Sequence, residues 1–404
     1  MQIVFIGPFG LQPKGTMSVR ALPLARALVA RGHRVTVLIP PWDDPERSGQ
    51  SWTDEGVTVV NVELAQAGLS RWPGLFQFGL TRTLVRQALA RQPEVIHLFK
   101  PKAYAGLAHL ALWWLRKRRG LSLRLVVDAD DWEQAWNELL PYSIVQKKFF
   151  AWQEKWGLGH ADAVTVASRA LAELVVTQVG VEATRVFYVP NGIVANMVSS
   201  DHPLLGNPPP LAMALPFSRN THPTVLLFSR FAEFRLERIV TLIRLVANKV
   251  PQARWLIVGR GFRGEEQRLA ALVSEAGLSA LAHFVAKWIP PEQVPAYFAA
   301  ADVAIYPYDN TLLNRTKCSV KLIDMLAAGL PVVADAVGQN GEYIQPNETG
   351  LLTPAEDDEA MAQAVTILLQ TPELREKLGQ AAARSMRQRF AWSHLVETVE
   401  KAYA

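Results

Sequence analysis

The chain has little cysteine, no long apolar run and no basic leader. Its single cysteine, Cys318, excludes a disulfide framework within the chain. The longest apolar run covers residues 103–115 and is interrupted by His109, whereas a membrane-spanning helix needs about 20 residues. The opening MQIVFIG reaches a glycine without a cationic segment, which predicts a first buried strand rather than a signal peptide. We therefore expect a cytoplasmic protein.

The chain is long enough for more than one core, and its charge is uneven. With 404 residues, half of them hydrophobic, it suits about two domains. Residues 1–190 contain 22 basic and 16 acidic side chains, whereas the remainder is slightly acidic. A basic first half suits an anionic membrane surface or an acidic substrate, and a solvated basic surface is an equal alternative.

Short apolar runs alternate with helical stretches, which is typical of parallel sheets covered by helices on both faces. A proline-rich break at 201–223 predicts a linker. We expect an α/β protein with two Rossmann-like, doubly wound domains facing a cleft, and ligands beyond the carboxyl ends of the strands. The predicted strands are IVFI, HRVTVLIP, GVTVVNV, VIHLF, LRLVVDAD, ADAVTVAS and RVFYVP before the break, and TVLLFS, RWLIVG, HFVA, ADVAIYP, PVVAD and GLLT after it.

Two glycine-rich stretches imitate nucleotide-binding motifs. GRGFRG at 259–264 matches the dinucleotide pattern, but the next strand is followed by a lysine and a tryptophan rather than by the acid that a ribose needs. Its glycines, with Gly261 at the centre, are predicted to permit a tight turn near a ligand phosphate. The order Lys14, Gly15, Thr16 differs from that of a P-loop, so ATP hydrolysis is not expected.

The stretch VVDADDW at 126–132 carries an aspartate pair after a strand. Asp128-x-Asp130 has oxygen ligands that suit magnesium or manganese, as in one class of glycosyltransferases. The alternative is a polar loop without a metal, and we favour it because the chain contains two similar domains.

Five stretches, taken in order, resemble the motifs of retaining glycosyltransferases of family 4, the glycosyl transferases group 1, which have the GT-B fold. The resemblance runs nearly end to end. It implies an acceptor-binding domain at 1–200, the linker at 201–223, a donor domain at 224–385 and a helix at 386–404 that returns to the first domain. The stretches are KGTMSVRALPLARALVARGHRVTVL, YVPNGI, FSRFAEFR, KLIDMLAAGLPVVA and RFAWSHLVETVEKAYA.

The chain also departs from the family pattern. The family's two glutamates, separated by seven residues, correspond to Thr316 and Asp324, and its phosphate-binding lysine corresponds to Arg235. These departures leave the donor open. The others are Leu236 for the glycine that follows the lysine, Val194 for the aspartate after the Asn-Gly turn, and Phe99 for the second histidine of H-x-H.

Polar residues crowd the start of the apolar helix near residue 320 and indicate a diphosphate site. Ser319 is a predicted N-cap, so the N–H groups from Val320 onward would face phosphates. Arg230 and Arg235 are predicted as catalytic cations that stabilise the leaving group. We expect Lys321 to add a point charge, Gly261 to lie near a phosphate, and Trp288 to lie either beside the base or packed. The resemblance assigns Asp324 to the ribose hydroxyls and places Thr316 at the first acidic position.

The first domain is predicted to hold the acceptor. Asp130 is predicted as the catalytic group that orients an acceptor hydroxyl, with Asp131 beside it. Lys14 and Gly15 precede a helix where a phosphate would rest, and His97 is an acceptor contact or a structural residue.

The resemblance implies a retaining, metal-independent glycosyltransferase of hexosyltransferase type, with front-face attack. Its substrates are a nucleotide-diphosphate sugar and an unidentified acceptor, lipid-linked or polysaccharide, and we expect no cofactor and no nucleic acid. The alternatives are a silent sugar-nucleotide-binding protein and a nucleotide-sugar epimerase. LWWLRKRRG at 112–120 and QKKFFAWQEKW at 146–156 interleave aromatics with cations, which suits peripheral contact with an anionic membrane, at the inner face. Packed tryptophans and solvated cations are the alternative.

Overall fold

The computed structural model describes residues 1–11, 15–41, 44–64, 75–194, 215–217 and 221–404, and it divides into two compact units. The predicted site residue Lys14 and most of the predicted linker lie outside the described residues. The first unit contains Met1–Gly192, Thr316–Cys318 and Trp392–Ala404, and the second contains Ile193–Arg315 and Ser319–Ala391.

The sheet of the first unit has eight strands among the described residues, in the order β3-β4-β2-β1-β5-β6-β7-β8. All pair in parallel except β3, which is antiparallel to β4. Every residue of the central strand β5 is buried, as expected for a strand covered on both faces. The strands are β1 (Gln2–Ile6), β2 (Arg34–Ile39), β3 (Ser51–Asp54), β4 (Val57–Asn61), β5 (Val95–Phe99), β6 (Arg124–Ala129), β7 (Ala163–Val166) and β8 (Val186–Tyr188).

Strand β3 was not predicted, because its sequence SWTD lacks an apolar alternation. The turn that follows explains it: Glu55 and Gly56 both have positive φ, 45° and 84°, as the central residues of a tight hairpin turn require. The hairpin therefore forms from the turn rather than from the strand composition.

Helices of the first unit flank its sheet. A π-helical turn at Met17–Ala21 leads directly into α1, so this helical segment begins with a widened turn. The helices are α1 (Leu22–Ala30), α2 (Leu75–Leu89), α3 (Ala103–Arg119), α4 (Glu133–Leu139), α5 (Ile144–Gly159), α6 (Arg169–Leu174) and the C-terminal helix, named α15 (Trp392–Tyr403).

The second unit has a six-stranded parallel sheet within the described residues, in the order β11-β10-β9-β12-β13-β14. Two parallel-sheet α/β units confirm the predicted fold class. The strands are β9 (Thr224–Phe228), β10 (Arg254–Val258), β11 (Ala282–Val285), β12 (Val303–Tyr306), β13 (Val332–Asp335) and β14 (Leu351–Thr353). The helices are α7 (Leu236–Lys249), α8 (Glu265–Glu275), α9 (Val294–Ala299), α10 (Leu312–Thr316), α11 (Val320–Ala327), α12 (Asn340–Tyr343), α13 (Asp358–Gln370) and α14 (Pro372–Arg389).

One glycine lets two loops of the second unit approach closely. Gly259 follows β10 with φ 136°, and a Cβ there would lie 2.0 Å from the carbonyl oxygen of Ser229. Both the backbone angle and the space therefore require glycine. Gly277 also has a positive φ, 73°, but a Cβ at that position would meet no neighbouring atom of the described residues within 4 Å.

We predict that Gly259→Ala lowers the free energy of unfolding by about 2–5 kcal/mol, from backbone strain and a steric clash together. Gly277→Ala is the matched control and should cost only the backbone strain, about 1–2 kcal/mol. Urea unfolding of both variants measures the difference. Equal losses would show that the close approach to Ser229 contributes nothing.

Candidate functional site

The loop after β9 carries the predicted phosphate-binding arginines. Phe231 has a positive φ of 61°, and its N–H donates to the hydroxyl of Ser229 at 2.9 Å. That hydroxyl donates to the carboxylate of the buried Glu233 at 3.1 Å. The loop is thus held in one strained conformation, as is common at ligand sites.

The two arginines of this loop differ in their surroundings. Arg230 is exposed, and its guanidinium lies 5.9 Å from the centre of the Phe262 ring. In the described part of the chain no carboxylate pairs with it. Arg235 is also largely exposed, but its guanidinium lies 3.1 Å from Glu356 and 3.5 Å from Asp309. Arg230 is therefore the better placed of the two to receive an anion.

Helix α11 begins where the sequence predicted. Ser319 is its N-cap residue, but the side chain does not cap the helix and instead bonds the hydroxyl of Tyr306. Ser319 thus occupies the predicted N-cap position, without a hydrogen bond from its side chain to the helix. Lys321 lies 4.7 Å from the ring centre of Phe228, and Asp324 is half-buried one turn further along.

A small pocket joins these elements at the carboxyl ends of β9 and β12. Its walls include the loop after β9, the tyrosines at the end of β12, and the first turn of α11. The first turn of a helix offers N–H groups and a positive dipole end, which favour anions. The lining residues are Leu227, Ser229, Glu233, Phe234, Tyr306, Pro307, Tyr308 and Lys321.

The remaining residues predicted to bind the sugar-nucleotide donor do not share one set of contacts. The N–H of Gly261 already donates to the carboxylate of Glu266 at 2.9 Å, so in this structure it is not open to a phosphate. Trp288 follows β11 and is 53% exposed. Thr316 ends α10, is buried, and accepts a hydrogen bond from Ser168 through its carbonyl oxygen. Val320 opens α11 and is half-buried.

The sequence reasoning missed the carboxylate network behind the pocket. Asp335, at the end of β13, accepts hydrogen bonds from Arg238 at 3.0 Å and from the N–H of Tyr308 at 2.7 Å. Burial raises the pKa of Asp335, while Arg238 opposes the rise. The signal in the sequence was an acid at the carboxyl end of a buried strand, PVVAD.

In the first unit, the two members of the predicted aspartate pair have different partners. Arg20 binds both oxygens of Asp128, at 2.8 and 2.6 Å, and Thr165 donates to one of them at 2.6 Å. Arg20 and Asp128 are fully buried. Asp128 is therefore occupied by a bidentate ion pair, which the sequence reasoning did not foresee.

Asp130 and Asp131 instead surround a lysine. The ammonium of Lys100 lies 2.9 Å from Asp130, 3.1 Å from Asp131 and 2.7 Å from Glu133. Thr16 donates to the second oxygen of Asp130 at 2.5 Å. We name Lys100, Asp130, Asp131 and Glu133 the Lys100 cluster.

The cluster sets the ionisation of its acids. Burial disfavours the charged form of Asp130, but Lys100 and Thr16 hold its pKa below the usual value. Burial raises the pKa of Asp131, the neighbouring carboxylates add to this, and Lys100 opposes it. The three carboxylates raise the pKa of Lys100 well above its usual value despite burial, so the lysine stays a cation.

A second buried lysine ties the cluster to α4 and α5. Lys102 donates to Glu133 at 3.0 Å and to Asn137 at 2.7 Å. Glu154 of α5 accepts the N–H groups of Glu133 and Gln134 at the start of α4. Burial raises the pKa of Glu154 to about 8.

His97 has a structural role and does not join the predicted acceptor residues. It lies in the middle of β5 with no exposure, and its ring nitrogens contact Tyr403 of α15 at 2.8 Å and Thr165 at 3.1 Å. Burial lowers its pKa well below the usual value. Gly15 is exposed before the π-helical turn, where its carbonyl oxygen accepts the N–H of Ser18.

Comparison with known proteins is consistent with this arrangement. One family model, the glycosyl transferase 4-like domain, matches residues 15–192, and another, glycosyl transferases group 1, matches residues 222–371. The phosphatidyl-myo-inositol mannosyltransferase of Mycobacterium leprae is 26% identical over 406 residues, covering all of this chain and 96% of the relative.

A second relative and a solved structure extend the comparison. The GDP-mannose-dependent alpha-(1-6)-phosphatidylinositol monomannoside mannosyltransferase of Mycolicibacterium smegmatis is 24% identical, covering 90% of this chain and 88% of the relative. The structure of sucrose-phosphate synthase from Thermosynechococcus elongatus has a TM-score of 0.74 at 22% identity and covers all of this chain and 98% of its own. At that identity the structural likeness concerns the fold.

Proposed function

The chain belongs to the glycosyl transferases group 1, enzymes of GT-B fold, and from this premise we propose that it transfers a sugar, with retention and without a metal, from a nucleotide-diphosphate sugar to a lipid-linked polyol. The observation that carries the proposal is the small pocket of the second unit at the start of α11. Lys321 in the first turn of α11 lines it, and the exposed Arg230 belongs to the loop after β9 that forms another of its walls.

The pocket chemistry suits a leaving diphosphate. When the bond between the anomeric carbon and the phosphate oxygen breaks, the phosphate gains negative charge. Cations and N–H groups that are already in place stabilise that charge without reorganisation. In a front-face reaction the acceptor hydroxyl forms the new bond on the same face, and its proton passes to the departing phosphate oxygen. Retention rests on the family resemblance.

The acceptor class is inferred from two sources. Relatives that span nearly the whole chain are named as mannosyltransferases of phosphatidylinositol and its monomannoside. At the carboxyl end of β6 the first unit carries Asp130, which is buried, and Asp131, which is partly exposed, and carboxylates accept hydrogen bonds from sugar or polyol hydroxyls. We therefore propose a polyol headgroup as the acceptor and a nucleoside-diphosphate mannose as the first donor to test.

Metal independence is supported by the partners of the acidic residues. Both oxygens of Asp128 are bound by Arg20, and Lys100 lies among the other carboxylates. Within the described residues, three acids of the first unit lie close enough together to hold an ion: Asp130, Asp131 and Glu133. The protein thus supplies its own cations where a metal would otherwise be needed.

A catalytically silent sugar-nucleotide-binding protein is the second candidate, and Thr316 favours it. This residue occupies the family's first glutamate position, and it is buried with its carbonyl oxygen bonded to Ser168. Such a protein would bind donor with normal affinity and transfer nothing.

We predict that Arg230→Ala lowers kcat by about 10²–10³-fold, the loss typical of one transition-state contact, while donor affinity falls by less than tenfold. The reason is that the guanidinium meets more charge in the transition state than in the bound donor. Turnover and donor titration of the same preparations measure both values.

Arg244→Ala is the control, because Arg244 is an exposed arginine of α7 in the same unit. It should leave both values unchanged. Equal losses of kcat and affinity in Arg230→Ala would indicate uniform binding, and no loss of either would remove Arg230 from the site. Donor binding without transfer in the unaltered protein would support the silent alternative.

A lipid acceptor also requires a surface that meets lipid, and α5 provides one. Its outward residues, which we name the α5 patch, combine apolar side chains with lysines. Phe149 and Trp152 stack with ring centres 5.8 Å apart. Helix α3, by contrast, has two adjacent tryptophans, of which Trp113 packs against Trp156 and Trp114 is exposed. The α5 patch consists of Ile144, Val145, Lys148, Phe149, Trp152 and Lys155.

The patch fits an anionic bilayer surface. Aromatic and aliphatic side chains favour the headgroup region, and each nearby cation contributes about 1 kcal/mol on anionic lipid. Among the described helices none has the length and apolar character needed to cross a bilayer. We therefore propose peripheral attachment through α5, with the cations of α3 as an additional contact.

We predict that the protein co-sediments with vesicles in proportion to their anionic lipid content and is released by salt. Replacing Phe149 and Trp152 by Ser should reduce binding more than replacing Lys117, Arg118 and Arg119 by Gln, because only the former remove inserted apolar surface. Phe78→Ser, at another exposed aromatic of the first unit, is the control and should bind normally. Protein that stays in the supernatant with anionic vesicles at low salt would contradict the proposal and favour a soluble acceptor.

A further inference from the structure

We propose that Lys100 is a built-in substitute for a divalent cation in the acceptor site: its ammonium holds Asp130 and Asp131 in the orientation that receives the acceptor's hydroxyl groups. This inference deepens the proposed function and rests on it for the acceptor. Lys100 is a positioning residue here, because it acts through the two aspartates.

The geometry of the Lys100 cluster is that of a small cation site. One oxygen from each of Asp130, Asp131 and Glu133 lies within 4.8 Å of the others, and the ammonium lies 2.7–3.1 Å from all three. The ammonium donates hydrogen bonds to Asp131 and Glu133 and forms an ion pair with Asp130, so one lysine contacts all three carboxylates. Without a central cation the carboxylates would repel each other in a buried place.

The backbone is strained at the position that delivers this lysine. Lys100 has φ 54° and Ala103 has φ 49°, a region that residues other than glycine seldom adopt. The N–H of Lys100 donates to the carbonyl oxygen of Asp128 at 2.9 Å, which fixes the start of the loop on β6. Gln153 of α5 holds the other end through the N–H and carbonyl oxygen of Ala103. The loop is thus clamped at both ends around the lysine.

The two lysines of this loop have different tasks. Lys102 is more deeply buried, and it contacts Glu133, Asn137 and the rings of Tyr142 and Phe150. It therefore joins α4 to α5. Lys100 is the lysine that reaches Asp130 and Asp131, and Asp131 retains 19% side-chain exposure. Asp131 is therefore the carboxylate that a hydroxyl of the acceptor can reach, and Lys100 is the lysine that holds it in place.

The test compares Lys100→Ala, Lys100→Arg and Arg26→Ala with the unaltered protein. Arg26 is a matched control, because it also lies between two carboxylates of the first unit, Asp54 and Glu55. Three quantities are measured: manganese binding by titration, the shift of Tm on adding manganese, and kcat and KM for the acceptor alongside Kd for the donor.

We expect no stoichiometric manganese binding in the unaltered protein and one ion per chain in Lys100→Ala, together with a manganese-dependent rise in Tm. The acceptor KM should rise at least tenfold in Lys100→Ala, with donor Kd unchanged. Lys100→Arg keeps the charge and should retain most of the acceptor affinity. Arg26→Ala should lose stability without changing acceptor KM or taking up manganese.

Each contrary outcome overturns a defined part. Lys100→Ala with an unchanged acceptor KM would show that the lysine does not position the aspartates. Folded Lys100→Ala that takes up no manganese would show that the cluster is not a cation site. If the unaltered protein transfers no sugar, the proposed function fails, and manganese binding still decides whether Lys100 substitutes for an ion.

Discussion

Ion pairs between buried carboxylates and cations constrain the packing of both units. Removing one partner of a buried ion pair typically costs about 3–5 kcal/mol, so the elements that supply the partners must pack together. Arg20 reaches Asp128 across 108 residues of sequence, and Lys100 reaches Glu133 from the neighbouring strand end. In the second unit Arg238 of α7 bonds Asp335 of β13. Each pair fixes a helix or loop at the carboxyl edge of its sheet.

The same constraint separates the two sites chemically. In the first unit cations are surrounded by carboxylates, so the exposed edge offers carboxylate oxygens that can accept hydrogen bonds from hydroxyl groups. In the second unit Arg230 has no carboxylate partner among the described residues, and Lys321, in the first turn of α11, lines the pocket. That edge suits an anion. A sugar transferase needs one site of each kind, since the donor carries phosphate and the acceptor carries hydroxyls.

The sequence predicted what depends on local pattern. Apolar runs located the strands of both sheets except β3, and the spacing around Ser319 located the start of α11. It could not predict what depends on side chains distant in the chain, such as Lys100 among three acids, or the ion pairs of Arg235 with Glu356 and Asp309. The sequence left two roles open for His97, because a histidine in a strand has no pattern that tells a buried hydrogen-bonding role from a functional one. Predicted roles that depend on a bound donor or acceptor, including those of Asp324 and Trp288, stay predictions.

We propose that the cations of the protein replace a metal in sugar transfer. The most direct measurement is the initial rate of transfer to the proposed lipid-linked polyol acceptor before and after removal of divalent ions with excess EDTA, and again after manganese is added back. The account predicts that the rate stays within about twofold throughout, because a twofold change in rate corresponds to less than about 0.5 kcal/mol in the barrier. A rate that collapses in EDTA and returns with manganese would contradict it.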